Sequence, residues 1–243
     1  MLASVDRADL VMTPSQAMKD LITLWRPDAA RKIEVNRYGT REEMFANPMP
    51  RRSWRADGVL RLLMVSVYYP HKRPGDICRL VEQLEAQGIA AHATITMTLD
   101  EVRRSPGSAL DWIAMERLLA AGKLTLGPIP YSELPALYAS QDVFVFPAVA
   151  ETFGHPLAEA LSSGLPVIAA DTPVAREVCG DHALYVQPFL PRALFERVME
   201  LDADPALRQR LTAEGRSHIL SDLRWEDHVD RLVALFTKLA RRR

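Results

Sequence analysis

The chain has 243 residues, of which 48% are hydrophobic and 25% are charged, and its formal net charge is −1. This composition is typical of a globular protein, and a net charge near zero excludes a global attraction to nucleic acid. No apolar run approaches the roughly 20 residues that span a bilayer, and the first nine residues lack the pattern of a signal peptide. Cys78 and Cys179 show no metal-ligand spacing, which predicts two reduced thiols. We therefore expect a soluble, cytoplasmic protein.

Short apolar runs alternate with helical patterns along most of the chain. Buried strands are predicted at residues 10–13, 32–35, 60–67, 89–96, 124–126, 143–146, 167–170 and 184–186. Helices are predicted at residues 75–87, 109–121, 131–140 and 156–163, and then at 193–201, 205–220 and 225–239. This alternation predicts an α/β fold, a Rossmann-like doubly wound parallel sheet covered on both faces, with C-terminal helices.

A change in composition divides the chain into two parts. Residues 37–59 are polar and rich in Arg, Pro and Asn, which predicts a long surface loop. We therefore assign the main domain to residues 58–243. Residues 1–57 hold only a strand, a helix and a second strand, which is too little for a domain of its own.

The most informative segment is the turn that follows the predicted strand at residues 143–146. Pro147 ends the strand, and the next helix begins at Pro156, a residue well suited to the first helical position. Gly154 allows a ligand to approach the backbone closely. We expect the N–H groups of Gly154, His155, Leu157 and Ala158 to point out of the helix start, where they would bind an anion such as phosphate.

Two carboxylates flank this turn. Glu151 and Glu159 are separated by seven residues, and both can accept hydrogen bonds from sugar or ribose hydroxyls. Taken alone, such a pair is more often one solvated loop carboxylate and one helix-start carboxylate. The position at a strand-to-helix turn beside Phe153 and Gly154 favours the binding hypothesis.

The segment Glu151-Thr-Phe-Gly-His-Pro-Leu-Ala-Glu159 resembles the Glu-x7-Glu signature of retaining GT-B glycosyltransferases, of the family 4 type. The resemblance continues in Gly127-Pro-Ile-Pro-Tyr-Ser-Glu-Leu-Pro-Ala-Leu-Tyr138, which is similar to the family's nucleobase-side loop, and in Val65-Ser-Val-Tyr-Tyr-Pro-His-Lys-Arg73. It covers essentially the whole chain as the C-terminal, donor-binding half of a GT-B fold. On this resemblance, residues 1–57 are the end of an N-terminal domain and the interdomain region, and residues 58–243 bind a nucleotide sugar.

The resemblance implies a role for each matched residue. Glu151 would contact the transferred sugar, Glu159 the ribose hydroxyls, and Lys72 the diphosphate, where it neutralises charge on the leaving group. The remaining donor-binding candidates are the turn residues Phe153, Gly154, His155, Pro156 and Leu157, together with Ile129 beside the base and Arg73. Lys72 and Arg73 could instead form an exposed basic turn, Ile129 could belong to the core, and His155 could simply cap the helix.

Two features depart from the family. Many members carry Gly-Arg where this chain has Ser66-Val67, so one phosphate-binding cation is missing, and Arg73 could replace it. The chain also begins at what resembles the last strand of the N-terminal domain, which in the family holds the acceptor. We therefore expect the acceptor, a glycan or a lipid-linked sugar, to be bound by a missing or separate domain. An association with the membrane surface and self-association through Leu232, Leu235 and Phe236 are further expectations.

One motif suggests a different chemistry and is discounted. Asp202-Ala-Asp204 has the spacing of a metal-binding Asp-x-Asp, but Pro205 follows it, so Asp204 is predicted to cap a helix. We expect no metal and no cofactor. The leading hypothesis is a polysaccharide-biosynthesis enzyme that transfers a hexose from a nucleoside diphosphate sugar. A non-catalytic nucleotide-sugar-binding module is the alternative, and a sugar-nucleotide epimerase is a weaker one.

Overall fold

The computed structural model describes residues 2–40, 45 and 51–241. The chain begins with helix α1 (Leu2–Arg7), strand β1 (Val11–Thr13), helix α2 (Gln16–Trp25), a 3-10 turn (Pro27–Lys32) and strand β2 (Ile33–Val35). β1 and β2 pair in parallel as a two-stranded sheet. Val5, Ile22, Ala29 and Ile33 form a small apolar cluster beneath this sheet. The N-terminal part therefore has a minor core of its own.

The main sheet has six parallel strands. They are β3 (Leu60–Met64), β4 (Ala91–Ile95), β5 (Leu124–Leu126), β6 (Val143–Phe146), β7 (Val167–Ala170) and β8 (Leu184–Val186). Their spatial order is β5-β4-β3-β6-β7-β8, in which the direction of strand addition reverses between β3 and β6. This is the doubly wound order with a switch point where ligands bind at the carboxyl ends of the strands. The predicted fold class is confirmed.

Helices cover both faces of the main sheet. They are α3 (Pro74–Ala86), α4 (Leu99–Arg104), α5 (Ala109–Ala120), α6 (Leu134–Ala139), α7 (His155–Ser162), α8 (Pro173–Cys179), α9 (Pro191–Ala203), α10 (Pro205–Asp222) and α11 (Trp225–Ala240). One apolar layer unites α3, α5 and α9 with the sheet, and the other unites α6, α7 and α8 with it. Strands β6 and β7 are buried at every position, as expected for central parallel strands.

Several predicted bounds need correction. The strand predicted at residues 60–67 ends at Met64, and the one predicted at 89–96 covers only Ala91–Ile95. α4 was not predicted, although Thr98 and Glu101 form a reciprocal capping box at its start, a pattern readable from the sequence. α8 was also missed, and Thr172 caps it by accepting from the Ala175 N–H.

The segment predicted as a surface loop is more firmly attached than expected. Thr40 donates its N–H to the Leu223 carbonyl at 2.8 Å, and Phe45 is only 2% exposed. Trp54 donates its indole N–H to Asp202 at 2.7 Å. The predicted surface location is therefore wrong for the buried residues Thr40 and Phe45, while residues 51–59 are irregular and half-buried to exposed. Residues 41–44 and 46–50 lie outside the described part of the chain.

Other predictions concern the ends of the chain and its thiols. On α11, Leu232 and Leu235 are half-buried and Phe236 is 55% exposed, so the predicted partial exposure of this face is confirmed. Cys78 and Cys179 are unpaired and buried, as predicted, and burial raises the pKa of both thiols. None of the helices in the described residues has the length and apolar character needed to cross a lipid bilayer. The division at residue 58 stays a prediction.

Candidate functional site

The candidate site lies at the switch point of the main sheet, where two loops leave neighbouring strands. One loop follows β3 and ends in the 3-10 turn Pro70–Lys72. The other follows β6 and leads into α7. The Val149 N–H donates to the His71 carbonyl at 3.0 Å and joins the two loops directly. The topology therefore brings Lys72 and Glu151 to one place, although 78 residues lie between them in the sequence.

Lys72 and Glu151 form an ion pair at this junction. Their side chains are only 11% and 15% exposed, so water screens the pair weakly. The Lys72 ammonium also lies 5.5 Å from the centre of the Phe146 ring, on the last residue of β6. The two candidate catalytic groups thus neutralise each other's charge.

The start of α7 presents backbone N–H groups beside this pair. Gly154 has φ +82°, and a Cβ there would lie 3.1 Å from Leu157 Cδ1, so the turn requires glycine. Among the described residues, no oxygen accepts from the N–H groups of Phe153, Gly154 or His155. The predicted free N–H of Leu157 is wrong, because it donates to the Gly154 carbonyl at 2.9 Å. The available donors therefore lie one step earlier in the turn than the sequence suggested.

Glu159 lies on the buried face of α7 and is 7% exposed. Tyr138 donates its hydroxyl to Oε2 at 3.0 Å, and the Tyr131 hydroxyl lies 3.4 Å from Oε1. Burial raises the pKa of this carboxyl, and the two hydroxyl contacts partly offset the rise. The carboxylate is thus supported by neutral hydroxyl donors, which is the kind of partner that a ribose offers.

The side chains of the turn itself serve mainly as packing. Phe153 and Leu157 are 1% and 0% exposed and belong to the apolar layer, so only their backbone faces a ligand. The His155 ring stacks on Tyr38 with centroids 5.0 Å apart, and burial lowers its pKa. His155 is therefore neutral near pH 7. Its ring helps to hold the turn.

Two other predicted residues have partners that compete with a ligand. Arg73, at φ +57°, donates to Asp76 at 2.6 Å and stacks on Phe189 at 4.6 Å. A phosphate contact would have to displace this carboxylate. Ile129 is partly buried and packs against the α6–α7 layer, so core packing accounts for its position, and a role beside the base stays a prediction.

The discounted Asp-x-Asp motif forms structural contacts. Asp204 caps α10 by accepting from the Leu207 N–H at 2.9 Å, as predicted. Asp202 accepts from Trp54 and pairs with Arg55 at 3.0 Å. Within residues 2–40, 45 and 51–241, no three His, Cys, Asp or Glu side chains are grouped in a way that could hold a metal ion.

Sequence reasoning missed the tyrosines around Glu159. Tyr138 is fully buried on α6, and only its contact with Glu159 distinguishes it from an ordinary core aromatic residue. Its position within the segment similar to the nucleobase-side loop could have drawn attention to it. Ser15 belongs to Thr13-Pro-Ser15, which resembles an interdomain landmark of the family, but that resemblance did not predict its hydrogen bond to the turn.

Comparisons with known proteins show the family of the chain. The profile of the family described as "Glycosyl transferases group 1" matches residues 51–218. A "GDP-mannose-dependent alpha-mannosyltransferase" of Mycobacterium tuberculosis is 30% identical over an alignment of 243 residues, which covers 97% of this chain and 58% of the relative. An "O-antigen chain mannosyltransferase B" of Escherichia coli is 33% identical over 117 residues, 48% of this chain and 30% of the relative.

Solved structures show the same fold. A sucrose-phosphate synthase from Thermosynechococcus elongatus superimposes with a TM-score of 0.80 at 22% identity, covering all of this chain and 61% of that one. The chain thus spans 58% or less of the length of the two mannosyltransferases and 61% of the length of the synthase.

Proposed function

The chain belongs to the group 1 glycosyl transferases, and on that premise we propose that it is the donor-binding part of a retaining, metal-independent enzyme that transfers a hexose from a nucleoside diphosphate sugar. Two relatives with mannosyltransferase names make a mannosyl donor the first choice, and GDP-mannose in particular. The acceptor would be a glycan or a lipid-linked sugar held by a separate domain.

One observation carries the proposal. At the switch point of the sheet, a buried cation, backbone N–H groups that donate to no oxygen of the described residues, and a buried carboxylate with hydroxyl partners lie around one turn. A nucleoside diphosphate sugar has matching groups in the same order: phosphates for Lys72 and the N–H groups, and ribose hydroxyls for Glu159. The charge and hydrogen-bonding character of the turn therefore fit this ligand class.

The chemistry assigned to the chain is mainly electrostatic. When the bond between the sugar and the diphosphate breaks, negative charge grows on the departing phosphate, and Lys72 with the N–H groups of the turn would stabilise it. Glu151, released from Lys72, could accept a hydrogen bond from a sugar hydroxyl. In a retaining reaction the acceptor hydroxyl attacks on the face that the diphosphate leaves, so the departing phosphate can take up the acceptor's proton.

The first test is nucleotide binding to the purified chain. GDP, UDP and ADP are compared by thermal shift and calorimetry in the wild type, Lys72→Ala and Glu159→Ala. At least one nucleotide should raise the melting temperature of the wild type. Each variant should lose about 1.5–3 kcal/mol of binding free energy, as expected for a hydrogen bond to a charged group.

Lys123→Ala is the matched control, since Lys123 also pairs with a glutamate, Glu85 at 2.9 Å, but at a half-buried position outside the site. It should bind nucleotide as the wild type does. A wild type that responds to none of the three nucleotides would overturn the proposal.

A second candidate is a non-catalytic nucleotide-sugar-binding module. It is favoured by the character of the site, because Lys72, the N–H groups of the turn and Glu159 all match parts of the nucleotide. Such a module would bind nucleotide with the same dependence on Lys72 and Glu159 but would release no GDP from GDP-mannose in the presence of acceptors. Turnover by the purified chain against a panel of acceptors would exclude this candidate.

A further inference from the structure

Ser15 connects the N-terminal part of the chain to the signature turn. It is 0% exposed, and its hydroxyl donates to the Thr152 carbonyl at 2.7 Å. Thr152 lies 137 positions further along the sequence. The same oxygen accepts from the Met18 N–H at 3.2 Å and so caps α2. One side chain thus holds a helix start and a loop carbonyl together.

The carbonyl that accepts from Ser15 belongs to the peptide unit that joins Thr152 to Phe153 in the turn. Thr152 lies between Glu151 and Phe153, and its C=O shares one rigid plane with the Phe153 N–H. The peptide bonds described here are all trans, so this N–H points away from the carbonyl and therefore away from Ser15. Rotation of the peptide plane would break the bond to Ser15. The Ser15 hydroxyl therefore fixes the direction of the Phe153 N–H, which donates to no oxygen among the described residues.

Ser15 is itself held in place by the main domain. Glu177 on α8 accepts from the N–H groups of Gln16 at 2.7 Å and Ala17 at 2.9 Å, which are the first residues of α2. On the other side of the turn, the Tyr38 ring packs edge-on against Phe153 at 5.5 Å. The N-terminal part thus contacts the turn at two points and is anchored to the domain that carries it.

We propose that Ser15 is a positioning residue that aims the Phe153 N–H at the phosphate or sugar of the bound donor. This inference rests on the proposed function. It assigns a role in donor binding to a residue outside the part matched by the family profile, residues 51–218. Ser15 does not touch the donor; it acts through the Thr152–Phe153 peptide.

The test uses Ser15→Gly in the full chain. Glycine is an acceptable N-cap that costs only a few tenths of a kcal/mol, so the helix should remain while the bond to Thr152 is lost. We expect affinity for GDP to fall about fivefold, the effect of losing one ordinary hydrogen bond. Ser15→Thr, which keeps the hydroxyl, should bind GDP as the wild type does. Ser15→Ala, which also lacks the hydroxyl, replaces the glycine variant if that variant does not fold.

Thr13→Val is the matched control, because Thr13 is a buried neighbour whose hydroxyl has no hydrogen-bond partner among the described residues. This change preserves side-chain volume and should leave the affinity for GDP unaltered. A loss of affinity equal to that of Ser15→Gly would show that any change in this segment disturbs the site and would overturn the specific role of Ser15.

A second measurement distinguishes a change in the orientation of the Phe153 N–H from a general loss of protein stability. The chain has seven phenylalanines, so ¹⁵N labelling of phenylalanine gives a simple amide spectrum in which Phe153→Leu identifies the signal of Phe153. Ser15→Gly should shift this signal in the free protein and reduce its response to GDP. An unchanged signal in the free variant would overturn the inference. If the wild-type signals do not respond to GDP, the proposed binding of GDP is wrong. The effect of Ser15 on the Phe153 N–H is then judged from the spectra of the wild type and Ser15→Gly recorded without GDP.

Discussion

The two acidic residues of the turn have opposite environments. Glu151 is matched by a full positive charge on Lys72, and its side chain remains 15% exposed. Glu159 is 7% exposed, and within the described part of the chain its carboxylate accepts hydrogen bonds from the hydroxyls of Tyr138 and Tyr131. Burial raises the pKa of Glu159, with only partial compensation from these hydroxyls. Two residues of the same type in one motif thus have different electrostatic roles.

This contrast indicates which partner each carboxylate exchanges when a ligand binds. The Lys72–Glu151 pair can open only for a group that restores its charge balance, and a phosphate does so. Glu159 can exchange one hydroxyl for another at little electrostatic cost, and a ribose offers two. The proposed division of the site into a phosphate end and a ribose end rests on these different partners of the two glutamates.

The first prediction tests the Lys72–Glu151 ion pair. Glu151→Gln removes the negative charge that occupies Lys72, so GDP should bind about tenfold more tightly, a gain of about 1.4 kcal/mol. This is below the roughly 4 kcal/mol of Coulomb energy for a near-surface pair at 4 Å, since the new amide oxygen still accepts from Lys72. Calorimetry with GDP measures the change.

Glu85→Gln is the control for this prediction, because it neutralises a Lys–Glu pair of similar chemistry, 2.9 Å apart and outside the site. GDP affinity should not change there. Weaker binding of GDP by Glu151→Gln would show that Glu151 supports the nucleotide directly, and the exchange on Lys72 would then be wrong. Sugar transfer, where it is measured, should fall in the same variant.

The second prediction concerns Glu159 and the dependence of the free energy of unfolding on pH. The native pKa of Glu159 lies above its ordinary value of 4.5, so between these two values the native state binds more protons than the unfolded state. The contribution of Glu159 to the free energy of unfolding is therefore complete below pH 4.5 and is lost as pH rises through the native pKa.

Glu159→Gln does not titrate, so the free energy of unfolding of the variant minus that of the wild type should increase with pH across this window. The slope can reach about 1.4 kcal/mol per pH unit. Urea unfolding of both proteins from pH 4 upward measures it, and other acidic groups cancel in the difference. A difference that stays flat or decreases with pH would contradict the assigned environment of Glu159.

The sequence was sufficient to predict the fold and the turn, for reasons that are local. Strands β6 and β7 are continuous apolar runs of four residues, and their predicted bounds are confirmed. Gly154 and Pro156 indicated the strand-to-helix turn, although α7 begins one residue earlier than predicted, at His155. Patterns of this kind depend on neighbouring residues and are therefore visible in one sequence.

Contacts between distant residues were not predictable in the same way. Ser15 and Thr152 are 137 positions apart, and nothing in the character of a serine before a helix specifies a second partner beyond the cap. Tertiary placement decides this contact, and periodicity carries no information about it. The Arg73–Asp76 pair is different, because the two residues are only three positions apart and the carboxylate partner of Arg73 could have been predicted from the sequence.

The smallest expected effect separates the two tyrosines on Glu159. Tyr138 is buried and orients the carboxylate, so Tyr138→Phe should weaken GDP binding about fivefold, the effect of one hydrogen bond. Tyr131 is 47% exposed, and its hydroxyl competes with the ribose for Oε1, so Tyr131→Phe should leave GDP affinity unchanged or raise it about twofold. Calorimetry on both variants measures the sign of each effect. Equal losses would show that the two hydroxyls act alike, and Glu159 would then be a structural carboxylate that a ribose does not reach.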